Sequence, residues 1–269
     1  MSLFRHLIIA LLLLTNTSLD ANASPPLLLT QEDCLSAIKN AEKSLNFSVA
    51  KRINVLSWNV HKLESDAAIN EVIDYGKKTN ILFLQEAVKN EALFNIKPFA
   101  SFSVGYTTAK YDSGVLTLSD YPIVLSCSYV HVEPWLRTPK ATNIVLLNID
   151  GTFLLAANIH AINFTLRTKQ FAIQLHSIEQ ILLAHKGPLI FSGDFNTWSD
   201  RRVNVLTGLA KTANLTQVEF KKDLRKKVFG LSLDKIFIRD VKIIKSKTKA
   251  SAASDHNPLF TTIELTPFE

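Results

Sequence analysis

Cysteine occurs only twice in the 269 residues, at Cys34 and Cys127, and the two lack the spacing of a zinc site. Histidine is also sparse, seven in all, and no multi-His set is grouped along the chain. With eight Gly and nine Pro against 47% hydrophobic residues, the chain is not a disordered or linker-type polymer, and it can bury a full core. No internal repeat, Pro- or Ser-rich linker or low-complexity tract interrupts it. After residue 14 no apolar run is long enough to cross a bilayer as a helix.

What is present begins with a leader. Arg5 and His6 precede the apolar run of residues 7–14, and Ala21-Asn22-Ala23 supplies small residues at alternate positions. That pattern reads as a signal peptide cleaved after Ala23, which predicts a secreted or periplasmic protein with no membrane span after cleavage, with an uncleaved anchor as the alternative. In such a compartment Cys34 and Cys127 either pair or serve as two small buried hydrophobes. The net charge of +6 survives cleavage, because the leader carries one Arg and one Asp. Residues 221–249 hold eleven Lys or Arg against three Asp. A stretch of that kind attracts nucleic acid or an anionic membrane surface, or else forms a solvated basic face.

The periodicity predicts an α/β layer. Residues 24–29 read as a flexible start, and residues 30–45 as a helix capped by Thr30. Strands are expected at 53–60, 81–84, 115–118, 123–132, 143–149, 153–159, 189–191, 233–238, 241–244 and 259–265. Helices are expected at 65–78 and 166–185, and Asp150-Gly151 between two apolar runs marks a hairpin. The chain thus divides into a leader (1–23), an extension with a helix (24–50) and one domain (51–269), expected to be monomeric.

Polar residues recur where these strands end. Trp58-Asn59, Gln85-Glu86, Asn158-Ile-His160, Gly193-Asp194-Phe-Asn196 and Ser254-Asp255-His256 all fall there, and Asp234 lies in a later strand. Ligands of α/β sheets sit at strand ends, so these positions can converge on one cleft. Asn59, Glu86, Asp194, Asn196 and Asp255 offer oxygen ligands or hydrogen bonds to oxygens. That donor set favours a hard cation, Mg²⁺ with Mn²⁺ or Ca²⁺ as alternatives, over zinc. His160 and His256 add proton-transfer groups, with Asp234 a candidate partner for a histidine. Each residue also has an ordinary role: Asp194 and Asn196 as an Asx-turn, Glu86 as an acid at a helix start, His256 as a loop histidine.

The ordered set of motifs, spanning residues 53–265, resembles the endonuclease/exonuclease/phosphatase (DNase I-like) superfamily. Asn59-x-x-Lys62, Arg137-x-Pro139-Lys140, Asn163-Phe164 and Thr197-Trp198-Ser199 are similar to its bacterial YafD-like branch. The resemblance implies a four-layer sandwich of two packed sheets flanked by helices. It implies a metal-dependent phosphoric ester hydrolase with Glu86, Asn59 and Asp255 on the metal side. Asp194 would orient the attacking water, Asn196 would hold the scissile phosphate, and His256, oriented by Asp234, would act as base or phosphate ligand. His160 would contact a phosphate oxygen or protonate the leaving group, with Asn158 and Arg137 as further phosphate contacts. His61 stands where the abasic-site endonucleases of the superfamily carry an acid, which argues against a repair role. The expectation is an exported phosphodiesterase, foremost a nuclease. A phospholipid-directed enzyme and a binding module without turnover are the alternatives, and no apolar loop suited to membrane insertion is evident in the sequence.

Overall fold

Apolar runs without polar interruption, such as ILFL at residues 81–84, suit strands covered on both faces, and that is how they fold. The structure is a computed structural model that describes residues 27–28, 30–41, 50–63, 65–165 and 167–265. The leader expected at residues 1–23 lies outside the described residues. The elements are, in order, β1 (Leu27–Leu28), α1 (Gln31–Ala41), β2 (Lys51–Asn59), α2 (Asp66–Gly76), β3 (Ile81–Val88), α3 (Glu91–Phe94) and β4 (Phe99–Thr107). Then come β5 (Asp112–Ser119), β6 (Ile123–Val132), β7 (Pro139–Ile149), β8 (Thr152–His160), α4 (Lys169–Ala184), β9 (Leu189–Asp194) and α5 (Asp200–Thr212). The chain continues with β10 (Thr216–Gln217), β11 (Lys227–Val228), β12 (Leu231–Ser232), β13 (Asp234–Arg239), β14 (Lys242–Thr248) and β15 (Leu259–Leu265).

One mixed sheet has the order β1-β6-β7-β8-β9-β13-β10 and the other β14-β15-β2-β3-β5-β4, with β11 and β12 paired apart. Strand alternation sorts the apolar side chains into three cores. Val55, Phe83, Ala156, Ile190 and Ile236 meet between the sheets. Leu155, Ile159 and Phe191 pack outward against Ile38, Phe171 and Leu206 of the helices α1, α4 and α5. Leu56, Leu82 and Leu84 pack outward against Ala68, Val72 and Tyr75 of α2. This is the expected four-layer α/β sandwich.

Four local features differ from, or resolve, the reading of the sequence. Residues 27–28 are not part of a flexible start but pair in parallel with Ser126 and Cys127 of β6. Cys34 and Cys127 form a disulfide with Cα atoms 6.0 Å apart, which fastens α1 and the extension to the first sheet. β4 escaped the sequence reading because its inward residues, Ser101 and Ser103, are small, polar and buried, inverting the usual pattern. The Asp150-Gly151 hairpin is as expected, with positive φ at both residues (52° and 90°).

Candidate active site

The same alternation that fills the inter-sheet core also builds the site. Moving two residues along each strand, Val55 gives way to Ser57 and then Asn59, Ala156 to Asn158 and then His160, and Ile190 to Ser192 and then Asp194. The layer between the sheets thus turns from apolar to polar and opens on the cleft. Register aligns three of the groups across one sheet. Asp234 pairs with Asp194, and Asp194 with His160, so the three side chains stand level on adjacent strands. Gly193 permits this close seam. A Cβ there would lie 1.9 Å from the Ile159 carbonyl oxygen, at a φ of 148° that favours glycine.

The second sheet supplies Asn59 and Glu86. Simple alternation would place Glu86 beside Leu84, facing α2. A β-bulge between Gln85 and Ala87, with Glu86 at φ 52°, re-aims its carboxylate into the cleft and hands the helix-facing position to Ala87. Loop residues 251–257 then dock onto the end of β2. Trp58 Nε1 donates to the His256 carbonyl at 2.8 Å, and Ser254 Oγ donates to the Asn59 carbonyl at 2.7 Å. The Trp-Asn and Ser-Asp-His motifs, far apart in sequence, are one hydrogen-bonded unit.

Asp194, 2% exposed, is the hub. Its Oδ2 accepts from Asn59 Nδ2 at 3.0 Å and lies 3.7 Å from His160 Nε2 and 3.9 Å from His256 Nε2. Burial and the neighbouring Asp234 carboxylate push its pKa up. Glu86 Oε1 lies 3.5 Å from Asn59 Nδ2 and 3.8 Å from His160 Nε2. Asn196, at φ 50°, donates its backbone N–H to Asp194 Oδ1 and its Nδ2 to the Ala161 carbonyl, both inside a buried turn. Asp255 sits at the rim, half-exposed, bonded to Lys226 at 3.3 Å and 4.0 Å from both His256 Nε2 and His61 Nδ1.

The two histidines differ in charge. His256 Nδ1 faces both oxygens of buried Asp234, at 3.0 and 2.8 Å. Burial alone would lower its pKa, but the Asp234, Asp194 and Asp255 carboxylates outweigh this and raise it to about 10. His160 is pushed the other way, well below its ordinary value, by burial and by the Lys140 and His256 charges. Its Nε2 lies 2.9 Å from Lys140 Nζ, an ammonium that can only donate, so that nitrogen is an acceptor.

Two expected site residues are placed elsewhere. Asn158 is fully buried one step below the cleft. Its amide donates to the Leu84 and Leu116 carbonyls and accepts from Gln85 at 2.7 Å, so it bridges the sheets rather than a phosphate. Arg137 lies exposed in the β6–β7 turn, where its backbone is in the left-handed region at φ 52°. It is Lys140, three residues on, that reaches the site.

Arg202 is a functional neighbour that the sequence does not mark. Only 1% exposed, it lies between the rings of Phe171 and Trp198 and donates to the Ile162, Asn163 and Asn196 carbonyls and to Thr165 Oγ1. It pins the turns that follow His160 and Asp194 against each other.

The donor set suits a hard divalent cation. Asp194 and Asp234 present carboxylate oxygens within 4.8 Å of each other, with Glu86 and Asn59 opposite, while the His256 imidazolium stands among them as a hydrogen-bond donor and not as a ligand. Four carboxylates (Glu86, Asp194, Asp234, Asp255) gather around one imidazolium and Lys140, an excess of negative charge that a cation would offset.

Comparison with known proteins agrees with this geometry. Residues 56–256 match the model of the endonuclease/exonuclease/phosphatase family. A UPF0294 protein of Yersinia pseudotuberculosis is 34% identical over 233 residues, covering 83% of this chain and 89% of that protein. A UPF0294 protein of Vibrio campbellii is 34% identical over 226 residues, covering 79% and 78%. Among solved structures, an endonuclease/exonuclease/phosphatase of Bacteroides vulgatus superposes with TM-score 0.61 at 16% identity, over 80% of this chain and all of that one. A beta toxin of Staphylococcus aureus gives TM-score 0.60 at 15% identity, over 78% of this chain and 99% of that one. The chain belongs to the endonuclease/exonuclease/phosphatase family, in the branch of the UPF0294, or YafD-like, proteins.

Proposed function

We propose that this chain is an exported, divalent-metal-dependent phosphodiesterase that cleaves P–O bonds of nucleic acid by in-line attack of water. The observation that carries the reading is the line Asp234–His256–Asp194, faced by Asn59 and Glu86 across the inter-sheet cleft. Glu86 and Asn59, with Asp255 at the rim, would hold Mg²⁺, or Mn²⁺ or Ca²⁺. When bound, the ion supplies neutralising charge for phosphoryl oxygens and the leaving oxygen. His256, kept cationic by Asp234, offers Nε2–H to a phosphate oxygen. Asp194, held by Asn59 and the Asn196 backbone, accepts the proton of the attacking water. The second hydrogen of Asn196 Nδ2 remains for a phosphate oxygen.

Export is supported by the leader pattern and by the Cys34–Cys127 disulfide, a bond that persists in oxidising compartments. The nucleic-acid substrate is supported by part of the basic stretch. Arg225, Lys226 and Lys227 are engaged by Asp223 and Asp255, and Lys235 is buried, but Lys245 and Lys247 of β14 and Lys249 just after it stand exposed. With Lys78 they line a groove of about 330 Å³. Plasmid nicking with and without EDTA tests the reading: Mg²⁺-dependent cleavage that EDTA stops and His256→Ala removes is expected. Plasmid and RNA left intact under Mg²⁺, Mn²⁺ and Ca²⁺ would refute the nuclease assignment.

A second reading, a phospholipid substrate, is favoured by one observation that contradicts the sequence expectation of no apolar loop. Trp135 and Leu136, 60% and 59% exposed, cap the β6–β7 hairpin beside Arg137. Buried Glu133 ties that hairpin to the loop after His160 by accepting from the Asn163 and Phe164 amides, and Phe164 is itself half-exposed. Exposed aromatic and aliphatic side chains next to a cation suit a lipid interface. Release of phosphocholine or inorganic phosphate from liposomes, with plasmid untouched, would move the assignment to this substrate.

A further inference from the structure

Beside the site, a pocket of about 170 Å³ opens between Glu86 and His160 on one wall and Tyr106 and Pro139 on the other. Its remaining notable lining is Lys62 and Lys140, the two lysines of the Asn59-x-x-Lys62 and Arg137-x-Pro139-Lys140 motifs. They are far apart in sequence, and no role in the hydrolytic line absorbs either. The turn that carries Lys62 is unusual. His61, Lys62 and Leu63 have φ of 44°, 64° and 50°, three successive left-handed residues without a glycine among them. The turn is held by Asn59 Oδ1, which accepts from the His61 amide at 3.1 Å, and by the Val60 carbonyl, which accepts from the Leu63 amide at 3.0 Å. The metal-side asparagine thus also sets the turn from which Lys62 lines the pocket.

Neither ammonium forms an ion pair among the described residues. Lys140 spends one hydrogen on His160 Nε2 and keeps two, and Lys62 keeps three. Two part-buried cations in a concave site, with an aromatic ring at the rim, fit an anion attached to a planar group. Tyr106, 44% exposed, lines the pocket and supplies an aromatic ring on which a base can stack.

We propose that Lys62 and Lys140 form a second anion subsite, which takes the phosphate one nucleoside away from the scissile phosphate, with the intervening base against Tyr106. The proposal rests on the phosphodiesterase reading and deepens it. It makes the substrate a molecule with two phosphates separated by a nucleoside and gives the cleft a polarity along the strand. Each charge-assisted contact to a phosphate is worth roughly tenfold in affinity or more.

The test uses the full chain with Mg²⁺ and compares dithymidine monophosphate (TpT) with its 5′- and 3′-phosphorylated forms, pTpT and TpTp. Wild type is expected to favour one phosphorylated form over TpT by roughly tenfold or more in kcat/KM, and Lys62→Gln to reduce that preference to about twofold, with Lys62→Arg restoring most of it. Lys140→Gln, which also loses the contact to His160, should slow all three and erase the preference. Lys211→Gln on α5, remote from the pocket, controls for charge alone. Calorimetric binding of thymidine 3′,5′-bisphosphate against either monophosphate reads the subsite without turnover, and the bisphosphate should bind roughly tenfold more tightly in wild type but not in Lys62→Gln. Hydrolysis with no preference, or a Lys62→Gln loss equal on all three substrates, overturns the subsite and leaves the hydrolase reading intact. No hydrolysis of any of the three overturns the nuclease reading, and equal binding of bisphosphate and monophosphates then overturns the subsite as well.

Discussion

Replacing Asp234 by Asn removes one charge and little volume, and the structure sets the size of the effect. The carboxylate oxygens lie 3.0 and 2.8 Å from His256 Nδ1, and both residues are buried. At an effective dielectric of about 20, a charge pair at that separation is worth roughly 5–6 kcal/mol. The raised pKa of about 10 for His256, against an ordinary value near 6.5, corresponds to roughly 5 kcal/mol of preference for the imidazolium at about 1.4 kcal/mol per pH unit. Asp234 is the largest of the influences that raise this pKa, acting against burial and with help from Asp194 and Asp255. In Asp234→Asn, NMR titration of the His256 ring in EDTA should find the midpoint lowered by several pH units. Phosphodiester hydrolysis at pH 7 should fall by roughly 10²-fold or more. The stability effect has a definite sign. A folded pKa raised above the unfolded one contributes stability that is complete below about pH 6.5 and is lost as pH rises through about 10. The melting-temperature gap between wild type and variant should therefore be widest in mild acid and close toward pH 10. A His256 midpoint still above pH 9 in the variant, or hydrolysis within threefold of wild type, would refute the assignment of Asp234 as the residue that holds the imidazolium.

Two further predictions concern the frame around the site. The disulfide closes a loop over a sequence separation of 93, for which chain entropy gives roughly 4–5 kcal/mol, so Cys34→Ser with Cys127→Ser should lower the melting temperature by about 10 °C or more while leaving the pH profile of hydrolysis in place. An unchanged melting temperature would mean that the strap of β1 and α1 contributes little. Arg202→Met strands two buried carbonyls, a part-buried one and a hydroxyl, and a loss of roughly 3 kcal/mol or more in urea unfolding is expected, with Arg202→Lys recovering only part because it lacks the fork. A loss under 1 kcal/mol would show that water replaces the guanidinium.

How much of this was legible in the sequence depends on how local each constraint is. Polar residues at strand ends are a one-dimensional signal, and Asn59, Asp194, His160 and His256 were readable from it. The level row of Asp234, Asp194 and His160 was not, because the pairing of β13 with β9 and of β9 with β8 is set by contacts across the whole domain. Asn158 shows the limit of the same signal. Two residues before His160, it shares that residue's face, but in a strand two residues are about 7 Å, enough to place it under the cleft floor instead of in it. Glu86 shows the converse: alternation alone aims it at the helix, and only the bulge, which no run of apolar letters announces, turns it to the site. Arg201 and Arg202 are adjacent on a helix whose polar letters look alike. Yet Arg201 is exposed, and Arg202 faces the two site loops with its guanidinium between aromatic rings. Which of the pair is structural depends on the roll of α5 against the first sheet. That roll is set by Leu206, Leu209 and Ala210, which join the outer core from the same helix. The charged residue that organises the site is thus specified by the apolar residues a turn away from it, and by nothing in its own immediate sequence.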